Sequence, residues 1–344
     1  MKNNVTSKRA ARAALLAAIG AGMNAEGRAQ SAVELYGLVG TYVASAKRAD
    51  APTATWLEGS GGLTTSYWGM RGTEDLGGNL KAVFTLESFF QPDTGAQGRN
   101  ATDPFFARNA FLGLQGGFGQ FTFGRQTNPT YAVMQRLNPF GASVVFSPLV
   151  TQSFVAAFGG AIVGDTVWNN AVRYETPEFG GFSGTAIYGF GEVPGHNGTA
   201  NIGLHGFYSG GNLTAGVSLQ RVRTGITAPI ISQDAYLAGF AYDFKWAKLF
   251  ATIEGTSTKG NDALTRTYQV GFSVPVTKSG SVLVDWARTT RSQPRTPYSI
   301  RNTASLGYDY FLSKRTDVYA IYMFDKLSTA SSGNTFALGL RHKF

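Results

Sequence analysis

Ile300-Arg301-Asn302-Thr303-Ala304-Ser305-Leu306-Gly307-Tyr308-Asp309-Tyr310 changes chemical character at almost every step. Successive side chains of an extended chain point to opposite faces. Ala304, Leu306, Tyr308 and Tyr310 therefore share one face, and Arg301, Thr303, Ser305 and Asp309 the other. The same alternation recurs on both sides of this stretch. In 282–289, Val284 and Trp286 oppose Asp285. In 80–90, Ala82, Phe84 and Leu86 oppose Lys81, Thr85 and Glu87. In 334–344, Phe336, Leu338, Leu340 and Phe344 oppose Thr335, Arg341 and Lys343. Runs of about ten alternating residues, with charges opposite the aromatics, suit strands that face lipid on one side and water on the other.

Sixteen such segments are legible: 33–46, 65–76, 80–91, 105–116, 118–126, 169–177, 182–191, 201–209, 213–223, 231–244, 247–258, 265–276, 280–290, 299–312, 316–327 and 334–344. Their connections alternate in length. Leu76-Gly77-Gly78-Asn79, Gly210-Gly211-Asn212, Lys245-Trp246 and Ser313-Lys314-Arg315 are tight, whereas 47–64, 92–104 and 194–199 are long and polar. Short turns on one rim, long loops on the other and an even strand count describe a closed membrane barrel. A soluble sandwich has no reason to obey that rule. The expected fold class is all-β, a 16-stranded antiparallel transmembrane β-barrel. Phe118, Phe179, Phe182, Phe244, Trp246, Phe311 and Phe344 gather near the turns, as a girdle at the membrane interface requires.

One stretch breaks the pattern. Thr127 to Trp168 has prolines at 129, 139 and 148, no sustained alternation, and only Arg136 and Asp165 as charges. It is expected to fold inward and narrow the barrel as a constriction loop over 127–168.

Composition agrees. There is no cysteine, so no disulfide framework and no thiolate metal site. Charged residues are 15 % and aromatics 13 %, with 44 glycines, which suits many strands joined by tight turns. No stretch after the N-terminus is apolar for the ~18 residues that a membrane helix needs. The N-terminus reads as a separate segment: Lys2, Lys8, Arg9 and Arg12 precede an eleven-residue apolar run, Ala13 to Met23. Gly27 and Ala29 fit a cleavage site, giving a signal peptide over 1–29 and one barrel domain over 30–344. Its removal takes away those four cations, Arg28 and Glu26, so the formal net charge of +9 falls by four. No nucleic-acid partner is inferred from that charge.

Several stretches resemble the Gram-negative porins of the beta-proteobacterial type. They are Leu35-Tyr36-Gly37-Leu38-Val39, Trp68-Gly69-Met70-Arg71-Gly72-Thr73-Glu74-Asp75-Leu76-Gly77-Gly78, and Phe118-Gly119-Gln120-Phe121-Thr122-Phe123-Gly124-Arg125-Gln126. Pro177-Glu178-Phe179-Gly180-Gly181-Phe182 and Leu340-Arg341-His342-Lys343-Phe344 complete the set. The resemblance covers the chain beyond the signal segment in the family's order. It implies a homotrimer in the Gram-negative outer membrane, among its lipids and lipopolysaccharide, passing small ions and hydrophilic solutes by diffusion without a cofactor. It also implies that the third long loop folds inward. Phe344 matches the terminal phenylalanine that the barrel-assembly machinery recognises.

For the pore lining, alternation turns Arg71, Lys81, Glu87 and Arg173 inward. Arg125 matches a family arginine on the basic side of the constriction, yet simple alternation groups it with Phe121 and Phe123; the family role requires a bulge or strand end there. Arg108 meets the same difficulty. Arg136 is the loop's own cation. The resemblance also shows two departures. Family members often have an arginine where Tyr67 and Val167 stand, and the acidic pair often found on the loop is missing. An eyelet less polar than usual, with residual positive charge, is the expectation. It favours anions, with a channel selective for aromatic or short-chain carboxylates as the alternative, and a structural or adhesive barrel as a further one.

An enzyme is not expected. The only histidines are His196, His205 and His342, with no G-x-S-x-G elbow, no HExxH and no phosphate loop, so neither a catalytic constellation nor a metal site is legible.

Overall fold

The computed structural model describes residues 32–194, 198–225 and 231–344. The expected signal peptide and His196 lie outside the described residues. Seventeen strand segments form one sheet that closes on itself. They are β1 (Ala32–Ala46), β2 (Thr55–Ser60), β3 (Tyr67–Gly77), β4 (Leu80–Phe89), β5 (Ala110–Gly116), β6 (Gly119–Thr127), β7 (Val167–Glu175), β8 (Phe182–Gly189) and β9 (Asn201–Gly210). β10 (Leu213–Arg223), β11 (Ser232–Asp243), β12 (Lys248–Lys259), β13 (Ala263–Pro275), β14 (Gly280–Gln293), β15 (Thr296–Phe311), β16 (Thr316–Leu327) and β17 (Ser332–Lys343) follow. All pairings are antiparallel. β1 seals the barrel against β17, from Leu38 opposite Lys343 to Ala46 opposite Thr335. Gly37 and Phe344 exchange both backbone hydrogen bonds at 3.1 Å.

β2 and β3 are two halves of one strand, because they pair in turn with the two halves of β1. The barrel is therefore sixteen-stranded. This corrects the expectation that 47–64 is one long loop. Thr55-Trp56-Leu57-Glu58 does not alternate in polarity, yet its backbone pairs with β1. The interruption at 61–66 has a use. Gly61 and Gly62 take φ of +85° and +87°, a region glycine enters without steric penalty. Gly61 and Gly62 turn their carbonyls inward, to Tyr319 at 3.2 Å and Ser143 at 2.7 Å. A second correction concerns 105–109, which lies outside β5; Arg108 and Asn109 bond Glu87 through both backbone and side chain.

The burial pattern is inverted relative to a water-soluble fold. Val284, Trp286, Leu306 and Tyr308 are exposed, whereas Asp285, Thr303 and Ser305 on the other face are buried. Lipid covers the apolar wall of such a barrel, and closure leaves no sheet edge to hydrogen-bond in hydrocarbon.

Inside lies the stretch between β6 and β7. Asn128 caps α1 (Pro129–Met134) by accepting from the Tyr131 N–H at 2.9 Å, and Ser147 caps α2 (Pro148–Phe154) by accepting from Val150 N–H at 3.3 Å. Both helices place proline in the first turn, where its missing N–H is not needed.

Candidate pore constriction

The loop is fastened to the inner wall over most of its length. Val133, Met134 and Leu137 of α1 and its exit pack with Phe207, Leu237, Ala241 and Phe250. Phe140 and Phe146 pack with Tyr319, Ile321 and Ala337 on the far side. Each such side chain contributes roughly 1.5–3 kcal/mol when fully buried. Polar pins alternate with these contacts. Thr130 donates to Gln220 at 2.9 Å, and Ser153 donates to Glu254 at 2.8 Å. Gln152 donates to the Ala287 carbonyl at 3.0 Å and to Thr303 at 2.8 Å, and accepts from Thr289. Ser305 donates to the Phe146 carbonyl at 2.8 Å. Arg291 donates to the Gly159 and Gly160 carbonyls. No sequence pattern pointed to these wall partners.

At the root of the loop, Asp165 joins two arginines. Arg99 reaches both of its carboxylate oxygens at 2.8 Å and also binds Asp103, while Arg125 bonds Asp165 at 2.9 Å. Burial works against the Asp165 charge, but the Arg99 hydrogen bonds and both guanidiniums hold its carboxyl below the usual range. Arg125 gets there through an irregularity. The β6–β7 register shifts between Gly124 and Gln126, Gly124 takes φ +133°, and Gln126 turns in to bond Thr122. The Arg125 guanidinium then meets Ala107 O, Asn169 and Asp165. It is largely enclosed, as a loop anchor. Arg99 and Asp103 were missed in the sequence; a lone acid in an insert otherwise nearly free of charge was the available signal.

Beside this cluster, Glu87 is buried and accepts hydrogen bonds from Tyr36 at 2.7 Å and Asn109 at 2.6 Å, and it pairs with Arg108. Arg108 lies 4.1 Å over the Tyr67 ring, so the tyrosine offers an aromatic face where relatives often have a cation. Arg71 faces inward across from Glu34, pairs with it, and stacks over Tyr36 at 4.8 Å. Arg71, Tyr67 and Glu87 are thus brought together through Tyr36. Lys81 shares their face but sits beside the tight turn at 77–79, opposite Asp75 and Gln115, away from the loop.

The remaining residues meet on a third side. Arg136 is exposed and lies 4.3 Å over the Phe207 ring, with no acidic partner among the described residues. His205 stands edge-on to Phe207, and Arg136 and Arg173 are both near enough to act on its charge. Arg173 pairs with Glu175. His342 contacts Thr316 at 2.8 Å, far along the chain from His205 and on the rim. Among the described residues no His, Cys, Asp and Glu cluster could hold a metal ion.

The profile of the Gram-negative porins matches residues 11–330. The chain belongs to the Gram-negative porin family. Outer membrane porin protein 32 of Delftia acidovorans is 35 % identical over 339 residues, spanning 96 % of this chain and 91 % of that one. An outer membrane porin protein of Bordetella pertussis is 28 % identical, spanning 96 % and 99 %. Among solved structures, the anion-selective porin from Comamonas acidovorans superposes with a TM-score of 0.77 at 30 % identity, covering 91 % of this chain and all of that one. A trimer form of OmpT from Vibrio cholerae shares the fold, with a TM-score of 0.69 at 18 % identity over 91 % of this chain and 99 % of its own. This porin is an outer-membrane β-barrel, with the fold and family of a channel.

Proposed function

We propose that this porin passes small hydrophilic solutes and ions by diffusion, prefers anions, and is narrowest where the 127–168 loop faces Glu87, Arg108 and Tyr67. The observation that carries the reading is an asymmetry of free charge. The inward acids Glu87, Asp317 and Asp325 are each paired with an arginine, as is Asp165 at the loop root. Glu254 and Asp285 are buried in the wall covered by the loop. Arg136 has no such partner among the described residues, and Arg291 donates only to carbonyls. A water-filled lumen narrower than two Debye lengths, about 16 Å at physiological salt, leaves every passing ion within reach of that excess. The anion selectivity named for the Comamonas relative agrees with it.

General diffusion is favoured over a channel for apolar carboxylates. Phe146, Leu149, Val150 and Ile162 are buried against the wall, so they are not offered to a solute. Arg136, Arg173 and the Arg71–Tyr67–Glu87 group are the proposed lining, with Arg125 fastening the loop and Lys81 outside the narrow part. The proposal includes a homotrimer and a role for Phe344 in assembly, both supported by membership of the porin family, and an enzymatic activity is not part of it.

The test is the zero-current potential of the purified protein in a planar bilayer under a potassium chloride gradient. Chloride preference with steady, ohmic conductance is expected. Potassium preference contradicts the charge reading, and absence of conductance contradicts the channel.

A further inference from the structure

Where the loop leaves α2, a cavity of about 160 Å³ lies between it and the inner wall. Phe158 and Gly159 close it from the loop, Leu327 from β16, and Arg291 and Arg301 from β14 and β15. The register brings the two arginines together. Arg301 stands opposite Thr289 and Arg291 opposite Ser299, so the two are diagonal neighbours on one inward face. Their rows lie beyond the Ala287–Thr303 row that holds Gln152, toward the hairpin at 294–295. Gln152 and Thr289, already bonded to each other, line the cavity as well.

The two guanidiniums differ in what they have left to donate. Arg301 is buried, commits Nε and Nη2 to Asp325 at 2.9 and 2.6 Å, and lies 4.8 Å over the Phe158 ring. Its charge is matched. Arg291 uses only Nη2, on the Gly159 and Gly160 carbonyls, and forms no ion pair among the described residues. Its Nε and Nη1, and the Ser299 hydroxyl across from it, make no hydrogen bond there either. One unmatched cation with spare donors therefore opens onto a space walled by a phenyl ring and a leucine. A cavity of about 150 Å³ admits a benzene ring, so this one has room for a ring or a short branched chain. Charge-assisted hydrogen bonds from a guanidinium suit a carboxylate. A phosphate would have to shed water against Phe158 and Leu327 with no apolar body to offset that cost.

We propose that this cavity is an effector site: it takes one small organic carboxylate of ring size, and the occupant clamps the exit of the 127–168 loop to the barrel wall. The carboxylate accepts from Arg291 and Ser299, and the apolar body lies against Phe158 and Leu327. Loop and wall each supply part of the site. A ligand that needs both is bound only while the loop is docked, and so stabilises the docked loop by mass action. This rests on the reading of 127–168 as the constriction loop, and adds to it a ligand that steadies the narrowing. The cavity is on β14–β16, away from Glu87, Arg108 and Tyr67, so its occupant does not stand in the proposed narrow part.

Fluorine NMR titration of the full-length porin in detergent with 4-fluorobenzoate reads binding without any current. One saturable site per chain is expected. Arg291→Gln is expected to bind roughly tenfold more weakly, the loss of one charge-assisted contact. Leu327→Trp fills the cavity from β16 and leaves both arginines and the loop untouched; it is expected to abolish saturable binding, and keeps the test intact if Arg291→Gln undocks the loop. At ten times its Kd, the probe is expected to slow proteolytic cleavage of the wild-type loop about elevenfold, and that of Leu327→Trp not at all. Inorganic phosphate at the same concentration is expected neither to displace the probe nor to protect the loop. Absence of saturable binding, equal binding by wild type and Leu327→Trp, displacement by phosphate, or binding without protection each overturns the proposal. Chloride preference measured on the same preparation separates the two readings: lost binding with that preference intact sinks the effector site alone, whereas intact binding and protection without conductance support the site and count against the channel.

Discussion

Replacing Arg136 by glutamate should reduce the anion preference by an amount that depends on salt in a calculable way. Arg136 is exposed, and among the described residues its close partner is the Phe207 ring. The loop stays in place, because losing an exposed cation–π contact costs only about 0.5–1 kcal/mol. The lumenal charge changes by two units. At about 10 Å in water, one unit charge acts on an ion with about 0.4 kcal/mol. Screening lowers this to about 0.15 kcal/mol in 0.1 M salt and about 0.3 kcal/mol in 0.01 M. The change disfavours chloride and favours potassium equally. The permeability ratio should then fall about threefold at 0.1 M and about sevenfold at 0.01 M. Zero-current potentials measured with small gradients centred on the two concentrations give the ratio directly. An unchanged ratio would show that Arg136 does not face the ion path. A shift of equal size at both concentrations would show that the effect is structural rather than electrostatic.

Asp165→Asn removes the anion that Arg99 and Arg125 share, leaving Asp103 to Arg99 and no acidic partner to Arg125 among the described residues. Because Asp165 is about one-third exposed, the cost should be nearer 1–3 kcal/mol than the 3–5 kcal/mol of a fully buried pair. More open-channel noise and faster proteolysis of the loop are expected. The folded-state pKa of Asp165 is depressed, so its contribution is complete above its unfolded value near ~3.9 and is lost as pH falls through the folded one. Wild-type channel noise should therefore stay flat at pH 5 and rise only below about pH 4, and the asparagine variant should show no such acid transition. Gln152→Ala removes its bonds to Thr303, Thr289 and the Ala287 carbonyl, while Thr303 keeps Asp325 and Thr289 keeps Thr267; a loss of about 0.5–1.5 kcal/mol of loop anchorage per bond should appear as noisier conductance with unchanged selectivity. Tyr67→Arg adds one cation beside Arg108, and at 0.1 M should raise the anion-to-cation ratio by about 1.7-fold, readable from the same potentials.

The barrel was legible because a two-residue period, repeated many times, tells which face of each strand meets lipid. The turn residues supplied the rest: Gly77, Gly78 and Asn79 all take positive φ in a turn that few other residues allow. The loop was legible by its lack of alternation. Parity reports a face but not a height. It turned Arg71, Glu87 and Lys81 inward together, and only the register shows that Lys81 sits at the rim while Tyr36 joins the other two. A period also fails where the backbone bulges, as at Gly124, so Arg125 could not be oriented from its neighbours. The broken second strand was hidden because the chain at 61–66 leaves the sheet to hold the loop. Arg99 comes from a different loop, and its contact with Asp165 depends on the closed barrel rather than on any local pattern.

The absence of cysteine allows the central claim to be tested with a single engineered thiol. Arg136→Cys should react with charged, water-soluble thiosulfonates in the open channel, and each modification should lower the conductance in a step. Val133→Cys, buried between α1 and the barrel wall, should not react. Conductance steps confined to position 136 are the predicted result. Modification at 136 without any change in current would place the loop tip outside the ion path and contradict the account.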